Sequence, residues 1–226
     1  MSVDNRLQRI AGMIRNGDRV ADIGTDHAYL PVFLIKEGIS PLSFACDVSD
    51  GPLENARKTI EKSGVEGIVL RKGDGLNAVS ADEVDTVVIA GMGGDLIARI
   101  LTSSPWIRDQ RYELILQPMT AVEDLREYLC QSGFKIVREE AVSAHNRIYT
   151  AMKVVFTGEV SKCDPLFYFV GLLGENLGDD EVTYIQRKRR IIEKLAKDIS
   201  TVESKKDTYK MLCDAMDGID RLLENL

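Results

Sequence analysis

The chain has 226 residues, 44% of them hydrophobic and 29% charged, and a formal net charge of −7 at pH 7. This length allows one large domain, or one domain with a small appendage, and the composition is that of an ordinary globular protein. The negative charge argues against a protein that relies on bulk positive charge to bind nucleic acid, although a local basic patch would be enough for docking.

The cysteines and the first residues indicate a cytoplasmic protein. Residues 1–15 carry several charges and lack the apolar stretch of a signal peptide. No apolar run approaches the ~20 residues that span a bilayer, so no membrane partner is expected. The four cysteines form no C-x-x-C pair and have no histidine-rich neighbours. The sequence therefore predicts neither a metal site nor a disulfide framework, and it leaves the oligomeric state undetermined but compatible with a monomer.

Short apolar strands alternate with helices over residues 18–156. A first amphipathic helix is predicted from one apolar face, formed by Leu7, Ile10, Ala11 and Ile14. Seven strands are predicted after it, at residues 19–24, 44–48, 68–73, 86–90, 113–117, 134–140 and 149–156. Helices are predicted among them, at residues 27–37, 53–63, 94–101 and 122–132.

This alternation predicts an α/β fold, in which a parallel sheet carries helices on both faces in a doubly wound arrangement. The run Thr86-Val87-Val88-Ile89-Ala90 is apolar on both faces, as expected for a buried parallel strand. The last two predicted strands follow each other without a helix. An antiparallel hairpin is therefore expected at one edge of the sheet.

The C-terminal part of the chain has a different pattern. Residues 160–180 contain Asp164-Pro165 and three glycines and are interpreted as a transition. Apolar residues then recur at alternating spacings of three and four, which is typical of a coiled coil: Ile192, Leu195, Ile199 and Val202, then Tyr209, Leu212, Met216, Ile219, Leu223 and Leu226. A polar stretch separates the two sets, so an antiparallel coiled-coil hairpin is predicted. The predicted domains are residues 1–158 and residues 159–226.

An acid, a glycine and a second acid end the first predicted strand, in the segment Asp22-Ile23-Gly24-Thr25-Asp26. Ligands of doubly wound sheets bind at the carboxyl ends of strands, where a glycine allows close approach to the backbone. A dinucleotide site would instead show G-x-G-x-x-G, to bind a pyrophosphate at the helix N-terminus. One glycine with two acids favours a cationic, phosphate-free ligand such as S-adenosylmethionine. The alternative is that Asp22 and Asp26 only bind loop amides and cap the next helix.

Acids also end the second and third predicted strands. Asp47 is a candidate to accept hydrogen bonds from both hydroxyls of a ribose. Asp74 lies between Gly73 and Gly75, where it is a candidate to accept a hydrogen bond from the amino group of an adenine. Each acid could equally be a turn residue. Because three successive strands end in an acid on the edge where ligands bind, a cofactor site at this edge is the stronger interpretation.

The fourth and fifth predicted strands end in loops at the same edge. In Ala90-Gly91-Met92-Gly93-Gly94, three glycines leave room for a flat group, and Ala90, Gly91 and Met92 are candidates for cofactor binding. Met92 could pack against an adenine or merely fill a gap. The fifth strand ends in Gln117-Pro118, an amide and a fixed turn that are candidates for substrate contact.

Four of these segments resemble the bacterial TrmK-type tRNA adenine-N1 methyltransferases, which methylate adenine 22 of tRNA. Members of that family pair a class I, Rossmann-like methyltransferase domain with a C-terminal coiled-coil hairpin, so the resemblance extends over most of the chain. The sequence departs from the family at Met119, where the family favours Asn, and no polar contact to the target base is expected there. The matching segments are Ala21-Asp22-Ile23-Gly24-Thr25-Asp26-His27-Ala28-Tyr29-Leu30-Pro31, Gly73-Asp74-Gly75, Ile89-Ala90-Gly91-Met92-Gly93-Gly94 and Leu116-Gln117-Pro118.

The resemblance implies an enzyme that binds S-adenosylmethionine and transfers its methyl group in line to N1 of a tRNA adenine. N1 carries a free lone pair at neutral pH, so catalysis depends mainly on holding the reacting atoms in line. Asp26 is implied to be the catalytic residue, facing the reaction cleft and accepting a hydrogen bond from the adenine N6 amino group. His27 and Tyr29 are implied to form part of the cofactor pocket.

Docking of tRNA is expected to fall to a basic cluster, because the total charge is unfavourable. The cluster is Arg187-Lys188-Arg189-Arg190, on the first predicted helix of the hairpin. That hairpin is long enough to reach along a tRNA arm. The alternative is that the cluster is only a solvated helix face.

Two other functions are compatible with the same residues. A methyltransferase that acts on another class of substrate fits the strand-end acids equally well, because those acids recognise the cofactor. A non-enzymatic scaffold would bind the cofactor without transferring its methyl group. A dehydrogenase is disfavoured, since the phosphate-binding glycines are missing.

Overall fold

Seven strands form one sheet in the computed structural model, which describes residues 3–224. In chain order they are β1 (Val20–Ile23), β2 (Ser43–Asp47), β3 (Ile68–Lys72), β4 (Thr86–Gly93), β5 (Glu113–Thr120), β6 (Phe134–Ala144) and β7 (Arg147–Phe156). They lie side by side in the order β3-β2-β1-β4-β5-β7-β6. Strands β1 to β5 pair in parallel, and β7 is antiparallel to both of its neighbours. The predicted doubly wound α/β fold is confirmed.

Five helices pack on the two faces of the sheet. They are α1 (Asn5–Ala11), α2 (Tyr29–Lys36), α3 (Asp50–Ser63), α4 (Gly94–Thr102) and α5 (Val122–Gln131). Alternate side chains of β4 enter different cores: Val87 and Ile89 pack with α4 and α5, whereas Val88 packs with α1 and α2. Both faces of β4 are thus buried, and this explains why its sequence is a continuous apolar run. Within residues 3–224, no helix is both long and apolar enough to cross a membrane.

The predicted hairpin at the edge of the sheet is formed by β6 and β7. Because β7 pairs with β5, the first strand of the hairpin, β6, is the free edge. Both strands extend further toward their turn than predicted, since they pair with each other up to Ala144 and Arg147. His145 and Asn146 make the turn with φ of 49° and 59°, the positive values that a two-residue type I′ turn requires. The turn lies at the carboxyl edge of the parallel strands.

Three helices follow the sheet: α6 (Pro165–Val170), α7 (Asp179–Ile199) and α8 (Lys206–Glu224). The sequence pattern does not predict α6, which lies in the transition segment. Arg189 of α7 pairs with Asp220 of α8, and the predicted antiparallel helix pair is confirmed. The coiled-coil seam is not confirmed, because Leu195 is 45% exposed and Leu226 lies outside the described residues. The helices instead share a core with α6 and the edge strand β6. The domain boundary near residue 158 stays a prediction.

A buried ion pair ties the C-terminal helices to the sheet. The side chains of Arg126 on α5 and Glu139 on β6 are 0% exposed, and their closest N–O distance is 2.7 Å. Arg126 also donates to the carbonyl of Tyr168, while the amide of Leu172 donates to Glu139. Thr150 of β7 donates a further hydrogen bond to the same carboxylate. The pair therefore joins α5, the edge hairpin and α6 at one point.

Candidate functional site

A cavity of about 710 Å³ opens at the carboxyl edge of the sheet, where α1 passes the ends of β1 and β4. The strand order reverses between β1 and β4, and doubly wound sheets bind their ligands at this switch point. Seven of the predicted site residues line the cavity: Asp22, Gly24, Asp26, His27, Tyr29, Ala90 and Gly91. The structure therefore brings together most of the residues that were predicted at the ends of the first and fourth strands.

The loop after β1 has a backbone that only some residues tolerate. Gly24 has a φ of 78°, and a Cβ built on it would lie 2.2 Å from the terminal methyl group of Met92. The amides of Gly24 and Thr25 both donate to the carbonyl of Cys46, which fixes the loop against β2. Asp26 then adopts a φ of 51°, a left-handed conformation that Asp accepts better than most residues. This loop leaves the Asp26 side chain 65% exposed while it lines the cavity.

The rings of His27 and Tyr29 form one wall of the cavity. They stack with centroids 5.1 Å apart and an interplanar angle of 8°. The Nε2 atom of His27 lies 3.6 Å from the Asp26 carboxylate. The two rings provide a flat surface beside the carboxylate, in agreement with a role for both residues as pocket wall.

Asp22 is the acid that lies deepest in the site. It is 6% exposed, and burial raises its pKa to about 6, against the opposing effects of a hydrogen bond from Thr25 and the charge of Arg6. The Thr25 hydroxyl donates to it over 2.6 Å. A positive charge nearby, such as that of Arg6 or of a ligand ammonium, favours its ionised form. A buried carboxylate that faces a cavity is a good receptor for a ligand ammonium group.

Arg6 brings a positive charge into the site that the strand-end pattern does not predict. It lines the cavity from α1, with its side chain 20% exposed. Its Nη1 atom donates to the Gln117 side-chain oxygen over 2.9 Å, and the Gly91 amide donates to the same oxygen over 3.2 Å. A local signal could not have found this contact, because the partners are 111 residues apart.

Four predicted cofactor residues do not line this cavity, although they lie at the same edge. Asp47 ends β2, and its carboxylate accepts from the Ser49 amide over 3.0 Å. Asp74 and Gly75 follow β3, where Gly75 has a φ of 55° and lies against Ile100. Met92 lies in the β4 bulge and covers Gly24. The edge from β1 to β3 thus carries all the predicted acids, but only Asp22 and Asp26 face the open cavity.

Gln117 and Pro118 have a different position from the one predicted. Both are buried, and Gln117 is 0% exposed. The Gln117 oxygen accepts from Arg6 and Gly91, and its nitrogen donates to the Pro118 carbonyl. With its amide engaged at both ends, Gln117 positions Arg6 and the β4 loop. Met119, which follows Pro118, lines the cavity instead.

The structure divides the basic cluster of α7 into two pairs. Lys188 forms a salt bridge with Glu123, and Arg189 forms one with Asp220. Arg187 and Arg190 are exposed, and neither guanidinium has a partner within residues 3–224. Lys188 and Arg189 therefore hold α7 against α5 and α8, and only the other two are free to contact a substrate.

The walls of the cavity match a ligand that carries both an ammonium and a carboxylate. Asp22 and Arg6 bring opposite charges to the cavity, which Gly24 and Gly91 also line. In the described part of the chain, no group of three or more His, Cys, Asp or Glu side chains is arranged to hold a metal ion. The geometry thus fits an amino-acid-bearing cofactor and a second, flat reactant beside Asp26.

The chain is similar to known methyltransferases over most or all of its length. A family described as a methyltransferase domain matches residues 3–152. The tRNA (adenine(22)-N(1))-methyltransferase of Bacillus subtilis (strain 168) is 30% identical, over 100% of this chain and 98% of that protein. The crystal structure of the B. subtilis m1A22 tRNA methyltransferase TrmK has a TM-score of 0.83 at 29% identity and covers 98% of each chain. A Streptococcus pneumoniae protein in complex with S-adenosyl-L-methionine has a TM-score of 0.80 at 31% identity, covering 98% of this chain and 100% of that one.

Proposed function

The chain belongs to the family of the tRNA (adenine(22)-N1)-methyltransferases, and we propose that it transfers a methyl group from S-adenosylmethionine to N1 of adenine 22 in tRNA. The similarity to the B. subtilis enzyme over the whole chain carries this proposal. The cytoplasm is the proposed compartment, as expected of an enzyme that acts on tRNA.

The cofactor supplies an electrophilic methyl group on a sulfonium sulfur. Asp22 would hold the ammonium of its amino-acid part, and Arg6 would hold the carboxylate. Gly24 and Gly91 would let this part approach the backbone of the β1 and β4 ends. Asp47 would bind the ribose hydroxyls and Asp74 the adenine amino group, with Gly75 and Met92 beside the ring.

The chain's own residues are proposed to act on the target base. His27 and Tyr29 would form part of the cofactor pocket and, with Met119, the wall that positions the adenine ring of the target. Its N1 lone pair forms the new N–C bond while the S–C bond breaks and leaves its electron pair on sulfur. No proton leaves N1, so the ring becomes positively charged. Asp26 would accept a hydrogen bond from the N6 amino group and stabilise this charge as it develops.

Methyl incorporation into tRNA tests the proposed function. An unmodified transcript with adenine at position 22 is incubated with the protein and methyl-labelled S-adenosylmethionine, beside the same transcript with guanine at that position. We expect label only in the first transcript. Equal label in both would point to another target, and cofactor binding with label in neither would favour the non-enzymatic scaffold.

Replacing Arg6 with methionine is expected to weaken S-adenosylmethionine binding by roughly 10- to 150-fold, the equivalent of one hydrogen bond to a charged group. Binding of decarboxylated S-adenosylmethionine should fall much less, because that ligand lacks the group Arg6 would hold. Isothermal titration of both ligands measures the difference. Arg9→Met is the matched control, since Arg9 lies on the same helix and pairs with Glu140. An equal loss for both ligands would contradict the proposed carboxylate contact.

A further inference from the structure

A second cavity, of about 520 Å³, adjoins the first at the turn between β6 and β7. His145 lines both cavities, so the second one continues the site along the surface. We call it the hairpin groove. One wall is the hairpin turn, with His145, Asn146 and Arg147, and the other is α7, with Arg187; Asn5 also lines it.

The hairpin groove is basic on an acidic protein. No acidic side chain lines it, although the chain carries a formal net charge of −7. Arg147 and Arg187 are both exposed, and neither guanidinium has a partner among residues 3–224. Three other surface cavities, by contrast, each contain at least one carboxylate. Two free guanidiniums beside the amides of Asn5 and Asn146 suit a row of phosphates.

Hydrogen bonds between α7 and the hairpin fix the two walls relative to each other. The Asp180 carboxylate accepts from the amide and the hydroxyl of Ser143. Glu181 accepts from the Ala141 amide over 2.8 Å. Arg187 follows Asp180 by seven residues, two turns along the same helix face, or roughly 10 Å. Asp180 and Glu181 in the first turn of α7 thus hold β6, and the next basic residue on the Asp180 face is left beside the hairpin turn.

We propose that the hairpin groove binds backbone phosphates of the RNA next to the target adenine. This rests on the proposed function. A base that enters the catalytic cavity must leave its stack. Its flanking phosphates stay outside the cavity, because Asp22 and Asp26 inside it would repel them. Arg147 and Arg187 line the groove that continues from His145, the wall shared by the two cavities. The RNA contact expected of the whole α7 cluster is therefore assigned to Arg187, with Arg147 as its partner across the groove.

Salt-dependent tRNA binding tests this assignment. We expect the double variant Arg147→Gln/Arg187→Gln to bind tRNA roughly tenfold or more weakly at 0.1 M salt, because two phosphate contacts are lost. The slope of log K against log salt should become less steep by about 1.4 to 1.8, or about 0.7 to 0.9 for each contact. Titration of labelled tRNA between low and high salt gives both values.

Lys62→Gln is the matched control, because it removes one exposed positive charge at the end of α3, on the edge of the sheet away from the site. Its salt slope should equal that of the wild type. S-adenosylmethionine affinity of the double variant should also be unchanged, which reports an intact fold. An unchanged salt slope in the double variant would overturn the groove assignment. Absence of methyl transfer by the wild type would overturn the proposed function instead, while the salt slopes would still decide the groove.

Discussion

Replacing Asp26 with glycine is expected to lower the rate of methyl transfer at saturating tRNA by about 10²- to 10³-fold, the usual cost of removing one group that stabilises the charge of a transition state. The reason is that the adenine ring gains a positive charge as N1 is methylated, and the exposed Asp26 carboxylate is the acid beside the stacked His27 and Tyr29 rings. Glycine removes the carboxylate without straining the loop, since it adopts the Asp26 φ of 51° freely.

A second variant separates charge from hydrogen bonding at this position. Asp26→Asn keeps the size and the left-handed preference of the residue but removes its charge. If charge stabilisation dominates, its rate should fall nearly as far as that of the glycine variant. S-adenosylmethionine affinity and thermal stability, measured for both variants, serve as controls. Full turnover of Asp26→Gly at saturating tRNA would contradict a catalytic role for Asp26.

Replacing Arg126 with methionine is expected to destabilise the protein by about 3–5 kcal/mol, since it leaves Glu139 as a buried charge without its partner. For a chain of this size, that loss corresponds to a fall in Tm of about 6–20 °C. The effect should be largest at the junction between the sheet and the C-terminal helices, where Arg126 and Glu139 bind Tyr168 and Leu172. Thermal unfolding measures the change.

Two further variants define what the buried pair contributes. In Arg126→Met/Glu139→Leu both charges are absent, so part of the lost stability should return. Arg57→Met removes one partner of the exposed Arg57–Glu54 pair on α3 and should change stability by less than about 0.5 kcal/mol. A fall in Tm for Arg126→Met no larger than that of Arg57→Met would show that the buried pair is not what joins these elements.

Local sequence patterns predicted the strands of the sheet and the part of the site at the end of β1. The strands could be located because a strand that is buried on both faces is a continuous apolar run. Their acids could be located because residues that face a ligand lie at the end of a strand, as Asp22 and Gly24 do in β1. The order of the last two strands could not be predicted, because either strand of a hairpin can pair with β5. In the structure β7 does so, and this places His145 at the wall shared by the two cavities.

The remaining differences come from contacts between distant parts of the chain. The α7 cluster has four equivalent charges in the sequence, but Glu123 and Asp220 neutralise two of them. Gln117 follows a strand end, as a substrate-binding residue would, yet it is buried because α1 folds across the edge and brings Arg6 to it. Neither contact depends on local periodicity or propensity, so both could be recognised only in the tertiary structure.

The identity of the methylated nucleoside shows most directly whether the protein methylates N1 of adenine in tRNA. Unmodified tRNA is treated with the purified protein and S-adenosylmethionine, digested to nucleosides and separated by liquid chromatography with mass spectrometry against both methyladenosine standards. We expect N1-methyladenosine, formed in proportion to the tRNA that carries adenine at position 22. N6-methyladenosine, or no methylated adenosine from protein that binds the cofactor, would contradict it.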